Sequence, residues 1–310
     1  MAMPMPTPIP PVSNNGGIAV PQDAPVAPSS SRPYPGKYED INAEARDCLQ
    51  GIDLFTGLRL KVVRPVGQAL AVVHNLSMGA TGMTEKGPSQ IPPSYDLQVN
   101  YGGKKAFLMG GVFGNGAVIG NAMFEIMPNV AGKVSAQFGA NSQSDNLTAT
   151  ADYHGKDFNV TVKVGNNECG ASYLQSISEK LAVGAELGYM NKALESYVSA
   201  SARYTSGKRI LGVQLASYGA VTGWYTMKAS EKLNLCADFQ MNTKNFDAVA
   251  SAGYEYKLRM AQIKGQVNSL GRVAMSSTEQ INPICSVTLA AEVDYSQGDY
   301  KFGFGFGFGG

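Results

Sequence analysis

The C-terminal segment YKFGFGFGFGG, residues 300–310, alternates aromatic residues with glycine. A side-chain period of two is that of a β-strand, so Tyr300 and the phenylalanines lie on one face, opposite Lys301 and the glycines. In a soluble sheet this strand would be an exposed edge prone to aggregation. A closed barrel has no free edge, and in a membrane its aromatic face can meet lipid while the glycine face lines a lumen. The segment therefore predicts the closing strand of a transmembrane β-barrel.

Further alternating segments fill most of the chain after Phe55. The clearest are SYDLQVNYG, KDFNVTVKVG, KLAVGAELGY, EKLNLCADFQMN and CSVTLAAEVDY, each with apolar residues on one face and mostly polar or small residues on the other. They are about 10 residues long, the length of a tilted strand that crosses a bilayer, and no stretch approaches the ~18 apolar residues of a transmembrane helix. At about 13 residues per strand and turn, residues 55–310 have room for about 19 strands.

The low charge content separates a membrane barrel from a soluble sheet protein. Charged residues make up 16% of the chain, against a usual value of about 25%. We therefore predict an all-β fold class, a transmembrane β-barrel of about 19 strands formed by residues 55–310. A soluble β-rich binding or structural protein is the alternative from another class, and it would carry more charge on its polar faces and longer loops.

A different composition precedes the strands. Residues 1–35 hold most of the 16 prolines, and such a segment cannot bury enough apolar surface to offset its ordering entropy, so we predict a disordered tail. Residues 36–54 are predicted to be a helix and linker, with the helix over Tyr38–Gln50 and Gly51 at its end. The apolar residues of this helix recur at helical spacing, at Tyr38, Ile41, Ala45, Cys48 and Leu49.

The sequence lacks the chemistry that would mark other classes of protein. A net charge of +1 disfavours a nucleic-acid-binding surface. The four cysteines are far apart, which indicates neither a metal site nor a disulfide scaffold. His74 and His154 are the only histidines, no general acid or base can be nominated, and the glycine runs match no nucleotide-binding fingerprint. We expect no enzyme activity, no cofactor and no metal.

Several segments carry a family resemblance. They are PYPGKYEDINAEARDCL, FTGLRLKVVRPVGQALAVVHNLSMG, DYHGKDFNVTVKVGN, ASYLQSISEKLAVGAELGY, YTMKASEKLNLCADF and the last strand. With them the chain resembles the mitochondrial porin superfamily, and more narrowly the central channel subunits of the translocase of the outer mitochondrial membrane. An N-terminus without a secretory signal or an arginine-rich presequence fits such a barrel, imported from the cytosol. The resemblance implies nineteen strands, the first and last of them parallel, and the N-terminal helix inside the pore.

The same resemblance implies a function. The protein would be an integral channel of the mitochondrial outer membrane that imports unfolded precursor proteins with basic presequences. Its partners would be a tail-anchored receptor, small single-helix translocase subunits, membrane lipid and a second copy of itself in a homodimer. A voltage-dependent anion channel with a basic, metabolite-conducting lumen is the alternative within the superfamily, and the predicted inward faces disfavour it because they carry more acids than bases.

Candidate site residues follow from the predicted faces. The inward acids are Asp96, Asp152, Asp157, Glu186, Asp238, Asp247, Glu292 and Asp294. They would attract basic presequences at ~1 kcal/mol or less per close pair, and weak attraction at many sites permits passage. The same charges could instead only solvate a polar lumen. The resemblance further implies a sorting signal for membrane insertion, of the form polar, any, Gly, any, any, hydrophobic, any, hydrophobic, filled by Lys301, Gly303, Phe306 and Phe308.

Overall fold

The computed structural model describes residues 32–49, 52, 54–79, 81–84, 87–90, 92–139 and 145–309, with only the backbone given for 81–84 and 87–90. Most of the predicted tail, residues 1–35, lies outside these residues, as do Gln50 and Gly51, where the helix was predicted to end. Within the described part of the chain, none of the helical segments has the length or the hydropathy to span a bilayer.

Nineteen strands form one sheet, and two short strands, β3 (Thr81–Thr84) and β4 (Gly87–Gln90), pair with each other in a separate two-stranded sheet. The first strands of the large sheet are β1 (Gly57–Pro65), β2 (Leu70–Met78), β5 (Ser94–Gly102), β6 (Ala106–Val112), β7 (Val118–Met127), β8 (Val130–Phe138), β9 (Asn146–His154), β10 (Phe158–Gly165) and β11 (Glu168–Ser176). The remainder are β12 (Leu181–Met190), β13 (Glu195–Ser206), β14 (Arg209–Ala216), β15 (Ala220–Lys228), β16 (Leu233–Asn242), β17 (Asp247–Lys257), β18 (Ala261–Asn268), β19 (Arg272–Asn282), β20 (Cys285–Asp294) and β21 (Asp299–Phe308).

The sheet closes on itself. Neighbouring strands in the sequence form antiparallel hairpins, and β1 pairs with β21 in parallel, with Gly57 opposite Gly303 and Val62 opposite Phe308. An odd number of strands requires this parallel pair, because each hairpin reverses the chain direction. The predicted barrel of about 19 strands is confirmed.

The two faces of the wall have the expected chemistry. Outward side chains are large and apolar, such as Leu211 with 53% of its surface exposed and Phe302 with 66%. The glycine face of β21 points inward, where Phe55 covers it. A Cβ added at Gly303 would collide with the Phe55 carbonyl oxygen. The Arg59 guanidinium stacks 4.3 Å from the centre of the Phe55 ring, so this ring sits inside the seam where β1 meets β21.

The helical segment lies inside the barrel but is shorter than predicted. A 3₁₀ turn at Tyr38–Asp40 precedes the helix α1 (Ala43–Leu49), which contacts β15 to β18. The single helix predicted from Tyr38 onward was therefore wrong in this detail, because tertiary contacts to the wall decide the backbone of its first turn. The predicted apolar face is confirmed, since its members are only 2–3% exposed: Tyr38, Ile41, Ala45, Cys48 and Leu49.

Candidate functional site in the barrel lumen

Strand pairing puts the side chains of all eight acids on the inner face of the wall. Asp96 is on β5, Asp152 on β9, Asp157 in the turn before β10, Glu186 on β12, and Asp238 on β16. The others are Asp247 on β17, and Glu292 and Asp294 on β20. The structure does not gather these acids into one patch, because they are distributed around the circumference of the barrel.

Two of these acids bind the chain's own N-terminal segment, residues 32–49. The Lys37 ammonium lies 2.6 Å from the Asp152 carboxylate, and the Arg32 guanidinium lies 4.0 Å from Asp157. The Thr161 hydroxyl donates to the second Asp152 oxygen at 2.6 Å. Asp152 is only 4% exposed as a result. This carboxylate holds the N-terminal segment and is not part of the open lumen surface.

Tyr34 provides a second attachment of the same segment. Its hydroxyl lies 2.6 Å from His154 Nδ1 and accepts a hydrogen bond from Asn159 Nδ2 at 2.9 Å. Partial burial, together with the nearby Asp152 carboxylate, raises the pKa of Tyr34 to about 12. The phenol therefore stays neutral at physiological pH and keeps its proton for hydrogen bonding.

Charge complementarity continues along α1 with the opposite signs. Glu39 pairs with Lys163 on β10, and Glu44 accepts a hydrogen bond from Arg203 Nη2 on β13 at 2.5 Å. The Tyr38 hydroxyl lies 2.5 Å from Ser199 Oγ in a buried contact. The segment thus presents cations to the wall at its start and carboxylates further along, and the wall has the matching charge in each place.

Small inward residues make room for the helical segment. A Cβ at Gly184 would lie 3.0 Å from the Tyr38 ring, and a Cβ at Gly253 would lie 2.6 Å from Leu49 Cδ2 and 2.8 Å from a backbone oxygen of β18. Trp224, the only tryptophan of the chain, is buried beneath the apolar face of the segment. Burial of a large apolar side chain stabilises by about 1.5–3 kcal/mol, so this face supplies the main attraction for docking.

Sequence reasoning missed several inward carboxylates, at Glu125, Glu168, Glu195, Glu255 and Asp299, of which Glu255 is the buried one. Glu255 on β17 is 7% exposed, accepts a hydrogen bond from Asn234 Nδ2 at 2.8 Å and lies 3.8 Å from the Lys264 ammonium. The alternation contained the signal, because Glu255 stands between the outward-facing Tyr254 and Tyr256. Because Glu255 is already bound to side chains of the neighbouring strands, it stabilises the sheet and leaves little of its charge for the lumen.

The remaining predicted acids differ in accessibility. Asp294 is 5% exposed and lies 2.7 Å from Arg272 Nε, so its charge is already compensated. Glu292 faces Lys301 across the β20–β21 pair. Asp96 accepts a hydrogen bond from the Gly114 backbone N–H at 3.2 Å. Asp247 is exposed, whereas Asp96, Glu186, Asp238 and Glu292 are half-buried. Asp238 has one oxygen buried and accepts a hydrogen bond from Gln240 with the other.

The four residues of the predicted sorting signal all lie on β21. Lys301 and Gly303 face inward, and Lys301 lies 3.3 Å from Asp299. Phe306 and Phe308 face outward, with the rings of Phe306 and Phe308 stacked at 6.2 Å.

The two histidines are on opposite sides of the wall. His154 faces the lumen, whereas His74 on β2 faces outward and lies 2.6 Å from the Tyr95 hydroxyl. They cannot act together. Among the residues that the structure describes, no three His, Cys, Asp or Glu side chains come together as a metal site would require.

A closed β-barrel with an apolar outer face, a polar lumen and its own N-terminal segment inside defines a channel-forming membrane protein of the porin class. The family described as Eukaryotic porin matches residues 34–303. A probable mitochondrial import receptor subunit TOM40-2 of Arabidopsis thaliana is 33% identical over 280 residues, covering 88% of this chain and 90% of that protein. The chain belongs to the eukaryotic porin family and, within it, to the group of TOM40 proteins.

More distant relatives agree with this placement. The mitochondrial import receptor subunit TOM40 homolog of Mus musculus is 26% identical, over 87% of this chain and 77% of that protein. TOM40 of Saccharomyces cerevisiae is also 26% identical, over 87% and 76%. A solved structure described as "Asymmetric conductivity of engineered proteins" superimposes with a TM-score of 0.52 at 8% identity, covering 77% of this chain and 98% of that one. This last likeness concerns the fold alone.

Proposed function

We propose that the protein is the channel through which unfolded precursor proteins cross the mitochondrial outer membrane. The observation that carries this proposal is the 33% identity with the Arabidopsis import receptor subunit over nearly the whole of both chains. The protein is integral to that membrane, because its apolar outer face belongs in lipid. This sequence identity favours protein import over the metabolite transport of an anion channel. A transport function explains the features of the chain, and no enzyme activity is needed to explain them.

We further propose that basic presequences first meet the lumen acids Asp96, Asp247 and Glu292, which are half-buried or exposed and are not bound to the N-terminal segment. Their carboxylates are hydrated, so each contact with a basic residue contributes at most about 1 kcal/mol. Several weak contacts hold a passing chain without trapping it. Asp152 and Asp157 would join this path only when Lys37 and Arg32 leave them.

The assembly and the domain roles are also proposals. A tail-anchored receptor, small single-helix subunits and a second copy of this chain would bind the outer face of the barrel, as the names of the relatives imply a receptor complex. Residues 1–35 would be a tail, of which Arg32 and Tyr34 contact the barrel wall. The address for membrane insertion would be Lys301, Gly303, Phe306 and Phe308 on the last strand.

Single-channel conductance in a planar bilayer tests the proposed function. We expect a cation-preferring pore that a basic amphipathic presequence peptide blocks in a voltage-dependent manner. The matched peptide, with each Lys and Arg replaced by Gln, should block at least about tenfold more weakly, because two or more weak ion pairs are lost. A pore that prefers anions and ignores both peptides would contradict the proposal and support a metabolite channel.

A triple variant, Asp96→Asn with Asp247→Asn and Glu292→Gln, separates the acid path from the channel itself. We expect weaker block by the basic peptide and a smaller cation preference. Glu279→Gln is the matched control, because Glu279 faces outward. Unchanged block in the triple variant would reject these three acids as contacts while leaving the import channel intact.

A further inference from the structure

The two rims of the barrel differ in charge. Because successive hairpins reverse the chain, alternate turns lie at the same rim, and six of the nine turns at the rim where β1 ends carry exposed cations that form an incomplete ring. We call this ring the basic rim, and its members are Lys104, Lys105, Lys156, Lys180, Lys208, Lys232 and Arg259. The acids of the same turns are the exposed Glu179 and Glu231 and the half-buried Asp157, so the cations are in excess and the rim is positive.

The turns of the opposite rim carry fewer cations. Among the residues described there, the turns contribute the cations Lys192 and Lys244. The adjoining strand ends hold one exposed cation, Arg272, and the acids Glu168, Glu195, Asp247, Asp294 and Asp299. The cations of the turns are therefore concentrated at one end of the barrel, so a field of one sign extends from that end.

A ring of tyrosines accompanies the basic rim. Outward-facing tyrosines, 37–46% exposed, stand near the strand ends of five hairpins: Tyr101, Tyr153, Tyr204, Tyr225 and Tyr256. Three or four residues after four of these tyrosines comes a cation of the basic rim, at Lys104, Lys156, Lys208 and Arg259. Tyrosines in this position form the interfacial girdle of a barrel, with the ring at the boundary and the hydroxyl toward the headgroups. The cations that follow them are then at headgroup depth.

We infer that the basic rim binds the phosphate groups of anionic lipids in the leaflet that surrounds it. Ammonium and guanidinium groups held at headgroup depth attract anionic lipid and form charge-assisted hydrogen bonds with phosphate. The arrangement favours lipid over an acidic protein segment, because the cations follow the circumference through at least five hairpins. Lipid surrounds a barrel on all sides, whereas a protein segment covers one sector of it.

Lipid enrichment around the reconstituted full chain tests this inference. The protein is placed in nanodiscs of phosphatidylcholine and phosphatidylglycerol at about four to one, and the motionally restricted fraction of each spin-labelled lipid is measured. For the unmodified chain we expect phosphatidylglycerol to be enriched at least about twofold over phosphatidylcholine, with the enrichment falling at high salt because the attraction is electrostatic. The K104Q, K105Q, K156Q, K180Q, K208Q, K232Q and R259Q variant, which lacks all seven cations of the basic rim, should show no enrichment.

The matched control changes the other rim, with K192Q and K244Q. It should keep the enrichment, and buried Trp224 should keep the same fluorescence in both variants, which shows that the barrel is intact. Equal enrichment in both variants, or equal loss, would overturn the inference. Soluble polyglutamate and inorganic phosphate can each be added as competitors of the lipid. If polyglutamate displaces the lipid more strongly than phosphate does, the inference is overturned in favour of an acidic protein partner. None of these outcomes depends on whether the pore carries precursor proteins.

Discussion

The lumen has two unlike walls. Residues 32–49 lie along strands β9 to β18, which we call the covered wall, and leave β19 to β21, β1, β2 and β5 to β8 as the open wall. On the covered wall, Asp152 is bound to Lys37 and hidden. On the open wall, Asp96 is reachable from the lumen. An aspartate can therefore anchor the segment, as Asp152 does, or present its charge to the lumen, as Asp96 does on the open wall and Asp247 does at the rim end of the covered wall.

This difference shows how one polar surface can serve both stability and transport. Ion pairs on the covered wall are partly buried and specific in position, so they fix where the segment lies. The open wall carries charges that water screens, which suits weak contacts with a moving chain. Three substitutions separate these roles. The first changes the covered wall, the second changes the seam of the open wall, and the third changes the competition between Lys37 and a basic peptide for Asp152.

The largest effect is expected at Gly253→Ala on the covered wall. The new methyl group would collide with Leu49 and with a backbone oxygen of β18, which weakens docking of the segment by about 1–3 kcal/mol. The emission of Trp224 should shift to the red, because the docked segment no longer shields the indole. Gly102→Ala is the control on the open wall, since a Cβ there meets nothing within 4 Å. Identical spectra for the two variants would mean that the segment is not held by close packing at Gly253.

A smaller effect is expected at Phe55→Ala, in the seam of the open wall. The substitution uncovers Gly303 and removes the ring under Arg59, and because Phe55 is only half-buried we expect a loss of about 1–2 kcal/mol in barrel stability. Hydrogen exchange should accelerate for the amides of β1 and β21 while Trp224 fluorescence stays unchanged. Accelerated exchange at β12 or β16 instead would show that the two walls are not independent.

The smallest effect is expected at Lys37→Ala. Removing this cation frees Asp152, so a basic peptide should bind up to about fivefold more tightly, the value of one partly exposed ion pair. Peptide titration of tryptophan fluorescence or of channel block measures the change. In this background Asp152→Asn should abolish the gain, whereas Asp96→Asn should weaken peptide binding with or without Lys37. A gain that survives Asp152→Asn would mean that Lys37 does not compete for that carboxylate.

The wall of the barrel was predictable because its signal is local. Alternation in segments such as KDFNVTVKVG fixes which residues face outward, and length alone gave the strand number. The apolar face of the helical segment was predictable for the same reason, from the spacing of Tyr38, Ile41 and Ala45. The pairing of Lys37 with Asp152 was not, because 115 positions separate the two residues and neither alternation nor composition reports such a contact.

The position of Phe55 escaped prediction for a related reason. The glycines of β21 indicated space inside the barrel, but the sequence does not say which side chain fills it. Only the parallel register of β1 and β21 brings residue 55 over Gly303. Long-range register is thus the information that the sequence pattern lacked.

The parallel pair of β1 and β21 also determines the sidedness of the molecule. A barrel with an even number of antiparallel strands begins and ends its wall in the same compartment. Here the wall begins next to Gly57 at one rim and ends at Phe308 at the other. A fluorescent label can be attached beside each of these residues, and a quencher too large to pass the membrane or the pore can be added on one side. The quencher would reach one label from one compartment and the other label from the opposite compartment, which gives the orientation of the channel without any partner or antibody.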